Sequence, residues 1–410
     1  MEQYETLSPP QRAAILRSTT GGRGALGRRS LLRAVGLGAV ATAGLTACGI
    51  PAAGRTGDST ASTDHSDAEK VVNFSNWTEY IDVSDDGKHR PTLDVFTRQT
   101  GIKVKYTEDI NDNVEFFGKV KPQLAAGQDT GRDLMVLTDW LAARMIRLGW
   151  AQPLNPAHLP HAYANLGQRF RSPDWDPGRA YSYPWTGIAT CIAYNKKVTK
   201  GRAVTSISQL LDDPALKGKV AMLSEMRDTV GMTLLDMGKL PETVTDDTFD
   251  AALARVQKAV DSGQIRKFTG NDYTDGLSKG DLAACVAWAG DLVQLRVDDP
   301  DIEYVFPEAG YMSSTDNLLV PAKARHKSNA ERLIDYYYQP AVAAELAAWI
   351  NYVCPVAGVR EELAKIDPDL ASNPLILPDA AMDAKAHPFR SLSQDEETRY
   401  EEKFAKLIGA

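Results

Sequence analysis

The sequence predicts an α/β protein of two lobes that share chain, and three observations predict it. Short apolar runs that read as strands alternate with amphipathic helical segments along most of the chain, the pattern of helices laid against a sheet. At 410 residues the chain is too long for one simple hydrophobic core. Its composition, 43% apolar and 24% charged, is that of an ordinary globular protein.

The N-terminus reads as an address rather than as structure. Arg28 and Arg29, followed by Ser30-Leu31-Leu32-Arg33, precede a Gly/Ala-rich apolar stretch from Ala34 to Ala47. That stretch is too short to span a bilayer but suits a signal core. Leu45-Thr46-Ala47-Cys48 resembles the lipobox of bacterial lipoproteins, and the arginine pair resembles the twin-arginine export signal, which implies lipidation at Cys48. Residues 1–48 are therefore expected to be a signal segment. Residues 49–70, rich in Gly, Ser, Thr and Asp without an apolar period, are expected to be a flexible tether.

The body opens with the strand VVNFSNW, whose end presents Trp77, Thr78 and Tyr80. A helix from Leu93 stops at Gly101, and Ile102 to Tyr106 alternates as a strand. A helix from about Val114 to Ala126 leads to Asp133–Leu137, whose unbroken apolar character suits a strand buried on both faces. Thr138, Asp139 and Trp140 stand at its end. Residues 151–180 read as a long surface connection. A strand follows through Trp185 to Tyr194, in which Gly187 marks either a crossing between lobes or a bulge.

A second α/β unit starts near Thr205. Lys219–Leu223 is a strand, and Ser224–Asp228 turns into a helix that Asp228 is expected to cap in part; Glu225 is harder to explain as a cap. The helix Asp246–Asp261 and strands at Ile265–Thr269, Ala283–Trp288 and Ile302–Phe306 follow. Asp316 stands where chain crosses between sheets. Ser328 and Glu331 form an expected capping box, Pro340 opens the next helix, and a helical tail runs on from Val356.

A net charge of −8 with no basic run argues against nucleic acid. Cys48, Cys191, Cys285 and Cys354 contain no C-x-x-C, so no zinc site is expected; the last three read as small buried hydrophobes, with no basis for choosing a pair. The six histidines form no H-E-x-x-H, and neither G-x-S-x-G nor a P-loop occurs.

Gathered together, the strand ends carry Trp77, Tyr80, Trp140, Trp185, Trp288 and Tyr352, with Asp139, Glu225, Asp228 and Asp316. Flat rings cover methylenes and attract ammonium groups, and separated carboxylates accept charge-assisted hydrogen bonds, so this set suits a flexible aliphatic polycation. A receptor for a sugar or another organic cation, and an anchored enzyme using two carboxylates, stand as alternatives.

Several motifs occur in a fixed order: NWTEY after the first strand, Asp-Leu-Met-Val before Trp140, Glu225-x-x-Asp228, Trp288 in CVAWAGD, FPEAG before Thr-Asp-Asn, and Asn351-Tyr352 before Pro355. Together they resemble bacterial spermidine/putrescine-binding proteins, the extracytoplasmic receptors of polyamine ABC transporters, over roughly Val71 to Gly358. The resemblance implies a two-lobed periplasmic-binding-protein fold (type II-like) that closes by a hinge on a ligand between mixed sheets flanked by helices. Lobe 1 would hold residues 71–188 and about 315–355, and lobe 2 residues 189–314 and about 356–410. It implies a monomer without cofactor, partnered by permease subunits. It casts Trp77, Tyr80, Trp140, Trp288 and Tyr352 as an aromatic box, Glu225, Asp228 and Asp316 as amine-binding acids, and Thr78 and Thr138 as polar lining; Trp185 is placed with them. The chain departs from the family at Ser314, where an aromatic is usual, near Gly270, where a serine is usual, and near Arg390, where a glutamine is usual. A charged insertion, Ser84–Lys88, also stands in the first loop. An arginine in the pocket would repel a polycation.

Overall fold

Apolar runs set the central strands, and these strands carry the site at their ends. The computed structural model describes residues 63–111 and 113–409. Arg28, Arg29, Cys48 and most of the expected tether lie outside the described residues. The strands are β1 (Val71–Trp77), β2 (Lys103–Ile110), β3 (Leu134–Thr138), β4 (Ser182–Asn195), β5 (Val220–Leu223), β6 (Ile265–Thr269), β7 (Ala284–Trp288), β8 (Ile302–Val305), β9 (Tyr311–Leu319) and β10 (Ala386–His387). The helices of eight or more residues are α1 (Pro91–Thr100), α2 (Asn113–Ala125), α3 (Asp139–Arg147), α4 (Met226–Asp236), α5 (Asp246–Asp261), α6 (Ala289–Asp298), α7 (Lys327–Tyr337), α8 (Pro340–Ile350), α9 (Val359–Ile366) and α10 (Gln394–Ile408). Among the described residues no helix is long and apolar enough to cross a membrane.

The strands form one curled sheet in the order β2-β1-β3-β9-β4-β7-β5-β6, with β8 on β4 and β10 on β9. Parallel pairs lie at both ends, β1 with β2 and β3, and β5 with β6 and β7. Between them β4 pairs antiparallel with β9 over its first part and with β7 and β8 over its second. One continuous strand thus belongs to both halves of the molecule, and two lobes share it. Gly187 sits in mid-strand, exchanging backbone hydrogen bonds with Val353 at 2.8 and 3.1 Å. A Cβ on it would fall 3.1 Å from the Val353 side chain, so close approach selects glycine there. The register shift of β4 lies just before it, between Pro184 and Thr186.

Burial follows the sequence pattern. Leu134 to Leu137 of β3 are buried on both faces, whereas β2, at the edge of the sheet, alternates between exposed and half-buried residues over most of its length. Gly101 ends α1 with φ 74°, its N–H on the Thr97 carbonyl. Cys191 and Cys285 are buried and Cys354 half-buried, all three free thiols.

Four expectations are corrected. The tether does not extend to Lys70, because residues 64–69 are docked on the start of α7: Asp64 accepts from the Ser328 N–H at 3.1 Å and Ser66 Oγ from the Asn329 N–H at 3.0 Å. These contacts also take over the cap expected of Ser328 and Glu331. Glu331 is fully buried instead, bonded to His158 at 2.6 Å and to the Asn155 N–H at 2.8 Å. The 151–180 stretch is not a surface connection, since Leu159, Ala162 and Leu166 are buried and Asp335 of α7 accepts the His161 and Ala162 N–H groups. The tail divides. Its first helix, α9, packs on α8, whereas β10 pairs with Tyr311–Met312 and α10 packs on α5 through a Phe249–Tyr400 stack at 3.8 Å.

Candidate functional site

Parallel strands point their carboxyl ends at a common crevice, the usual place for a ligand in an open α/β sheet. Here β1, β3, β5 and β7 end at one cleft of about 1100 Å³. It is lined from the first half by Trp77, Thr78, Tyr80 and Thr138, and from the second by Glu225, Asp228 and Trp288. Asp316, on the crossing strand β9, and Tyr352 complete the wall.

Asp316 is 5% exposed. It accepts from the Tyr80 hydroxyl at 2.8 Å and the Thr138 hydroxyl at 2.7 Å. Thr138 Oγ1 in turn accepts from Asn113 Nδ2 at 2.9 Å, and the Tyr80 and Thr186 hydroxyls lie 2.6 Å apart. Burial pushes the Asp316 carboxyl up to about 6, against these two bonds, and Asp139 adds to the rise. Tyr80 is itself held well above the usual phenol range by burial and by Asp316, so it remains a neutral donor.

Asp228 accepts from Thr190 Oγ1 at 2.8 Å and from Trp288 Nε1 at 2.9 Å, and burial raises its carboxyl as well. Thr186, beside Asp316 in register, and Thr190 lie on one face of β4, four residues apart. At ~3.3 Å per residue they are roughly 13 Å apart along the strand, so the two acids stand at different parts of one elongated space.

A third acid was passed over by the motif reading. Asp291, in the first turn of α6, accepts from Tyr352 Oη at 2.8 Å, Asn271 Nδ2 at 2.8 Å and the Tyr273 hydroxyl. Tyr352 packs edge-on against Tyr80 at 5.5 Å and lies against Gly290, where a Cβ would come within 2.5 Å of the ring. The signal was present as Trp288-Ala289-Gly290-Asp291, but a carboxylate three residues into a helix reads equally well as a partner of its positive end.

Other candidates fall elsewhere. Trp185 does not line the cleft: it is 2% exposed, donates Nε1 to the Tyr80 carbonyl at 3.1 Å, and packs on Phe74 and Tyr337. It supports the loop that carries Tyr80. Trp140 reaches the cleft, but the guanidinium groups of Arg144 and Arg227 each sit 4.8 Å from its ring centroid. A ring already engaged by two cations is a poor seat for a third. Trp77 is pinned by its Nε1 to the Val136 carbonyl at 3.1 Å, and Thr78, exposed at the rim, bonds Asn111 at 3.2 Å.

The expected cap of α4 is reversed. Glu225 is the N-cap, accepting from the Arg227 N–H at 3.3 Å and lying 3.6 Å from its guanidinium, while Asp228 turns into the cleft. Asp139 is likewise committed, to the Thr315 N–H at 2.8 Å and Asn317 Nδ2 at 2.9 Å, and the nearby Arg179 guanidinium attracts its charge, which sets it apart from the cleft acids. Arg390 does line the cleft, but its guanidinium is spanned by Glu396 at 2.7 and 3.2 Å, which offsets the repulsion expected of it. Among the described residues no His/Cys/Asp/Glu cluster is arranged to hold a metal ion.

Comparison with known proteins agrees with this geometry. The chain is 27% identical over 319 residues to the spermidine/putrescine-binding periplasmic protein of Escherichia coli K12, covering 78% of this chain and 86% of that one. It is equally identical over 346 residues to the protein of the same name from Salmonella typhimurium, covering 84% and 94%. Its fold is that of the spermidine/putrescine ABC transporter substrate-binding protein PotD from Streptococcus pneumoniae, with a TM-score of 0.70 at 19% identity over 82% of this chain and 98% of that one. Residues 92–378 match the family model of the bacterial extracellular solute-binding proteins, and this two-lobed chain with its ligand cleft belongs to that family.

Proposed function

We propose that this chain captures an elongated polyamine, spermidine or putrescine, and delivers it to the permease of an ABC transporter. One observation carries the reading. Asp316, Asp228 and Asp291 face the cleft, and their hydrogen-bond donors are hydroxyl, indole and amide groups, all uncharged. A buried carboxylate with only neutral donors keeps an unbalanced charge, which an ammonium group of the ligand would balance. Trp288, Tyr352 and Trp77 would cover the methylenes between amines. The names of the relatives support the same ligand class.

Capture works by closure of the two lobes, which draws its free energy from contacts that both make with one ligand. The protein is exported through the segment carrying Arg28 and Arg29, lipidated at Cys48, and held as a monomer at the outer face of the cytoplasmic membrane. It needs no cofactor and returns its ligand unchanged.

Native mass spectrometry of protein purified without refolding, followed by titration with spermidine, putrescine, glucose and maltose, tests this. A retained or titratable amine supports it; binding of a sugar and of neither amine overturns it.

A further inference from the structure

The two halves of the molecule are also joined across the cleft by an ionic cluster that hydrogen-bonds none of the three cleft acids, although its Arg227 attracts the neighbouring Asp228 carboxylate. Its centre is Glu397, 3% exposed, near the start of α10. Its carboxylate accepts from Arg144 Nε at 3.1 Å, Arg147 Nη2 at 2.9 Å and Arg227 Nη2 at 2.9 Å. Glu401, one turn on, accepts from Arg144 at 3.1 Å, and Arg147 also donates to the Leu392 carbonyl at 3.3 Å.

These residues come from opposite sides. Arg144 and Arg147 end α3, the helix that begins directly after Thr138. Arg227 opens α4 beside Asp228. The helix bearing Glu397 is fastened to the second half by the Tyr400–Phe249 stack and by Arg399–Asp246 and Lys403–Asp250 ion pairs. The bonds from Arg144 and Arg147 therefore cross the cleft, as does the Arg227–Trp140 contact.

We propose that this cluster is a clasp that sets the balance between open and closed lobes, with Glu397 and Arg147 as positioning residues for ligand capture. Every donor and acceptor in it belongs to the protein, so it forms without a ligand. A buried ion pair adds little net stability over an apolar contact, yet it is costly to separate, and it thereby singles out one arrangement of the parts it joins. Apparent affinity scales with the fraction of molecules in the binding-competent arrangement, so loosening the clasp weakens binding without removing any hydrogen bond of the cleft acids.

The test compares Arg147→Gln and Glu397→Gln with the wild type by small-angle X-ray scattering, with calorimetric titration of spermidine alongside. Both variants are expected to show a larger radius of gyration without ligand, to return to the wild-type radius with saturating spermidine, and to bind it about threefold or more weakly. Arg147 has a side chain 35% exposed, so its variant keeps the test open if Glu397→Gln does not fold. Scattering by the folded Arg147→Gln variant that superposes on unliganded wild type overturns the clasp. The scattering comparison needs no ligand, so a wild type that binds no polyamine would defeat the proposed ligand and leave the clasp to be judged on its own.

Discussion

The three cleft acids and Glu397 are all buried or partly buried carboxylates lining one cleft, but their partners differ. Asp316, Asp228 and Asp291 meet hydroxyls, an indole and an amide. Glu397 meets three guanidinium groups. The first arrangement leaves negative charge for something else to balance; the second balances it internally. Burial or charge alone would have grouped these residues together, whereas the identity of the donors separates a place for a cation from a joint between lobes. Trp288 and Trp140 divide in the same way, one donating to a cleft acid and the other covered by the protein's own cations.

The sharpest way to break this contrast is Asp316→Asn, which keeps the shape and removes the charge. Polyamine affinity is expected to fall at least tenfold, about 1.4 kcal/mol. Stability should move the other way. The folded carboxyl lies at about 6, above its ordinary 3.8, so ionising it costs the unliganded protein stability as pH rises from near 4 through 6. That cost is about 3 kcal/mol at pH 7, and the variant is expected to unfold at a higher temperature than wild type by calorimetry. In wild type, lowering the pH from 7 to 5 protonates Asp316 and should weaken binding by up to about tenfold; the variant should lose most of that dependence.

Gly290→Ala probes the aromatic side. The added methyl would meet Tyr352 and push its ring away from Tyr80 and Asp291. Affinity is expected to fall three- to tenfold, in keeping with ~0.5–1.5 kcal/mol for an aromatic contact. Glu225→Ala should do least to binding, under threefold, and should remove about 1 kcal/mol of helix-cap stability. A tenfold loss of affinity there would return Glu225 to the amine-binding acids that the family resemblance implies.

Much of this was legible in the chain itself. Unbroken apolar runs located β3, β5 and β7, and the strand-end positions of Trp77, Asp228, Trp288 and Asp316 followed from them. What stayed hidden depended on partners remote in sequence. Trp185 and Trp288 look alike in sequence, and only packing sends one under Tyr80 and the other to the cleft. The cap of α7 comes from Asp64, 264 residues away, which no local motif announces. Glu225 and Asp228 both suit a helix start, and the Thr190 and Trp288 donors decide which of them turns inward. The clasp was illegible for the same reason, since Arg144, Arg227 and Glu397 become neighbours only when the tail returns to α5.

Whether a ligand cation completes the neutral-bonded acids of the cleft is decided by titrating spermidine into wild type and Asp316→Asn at pH 7.5 and 5.5 by calorimetry. Tight binding is expected only for wild type at the higher pH, with wild type at pH 5.5 weaker by about fourfold and Asp316→Asn weaker by about tenfold at both pH values. Equal affinity in all four would contradict it.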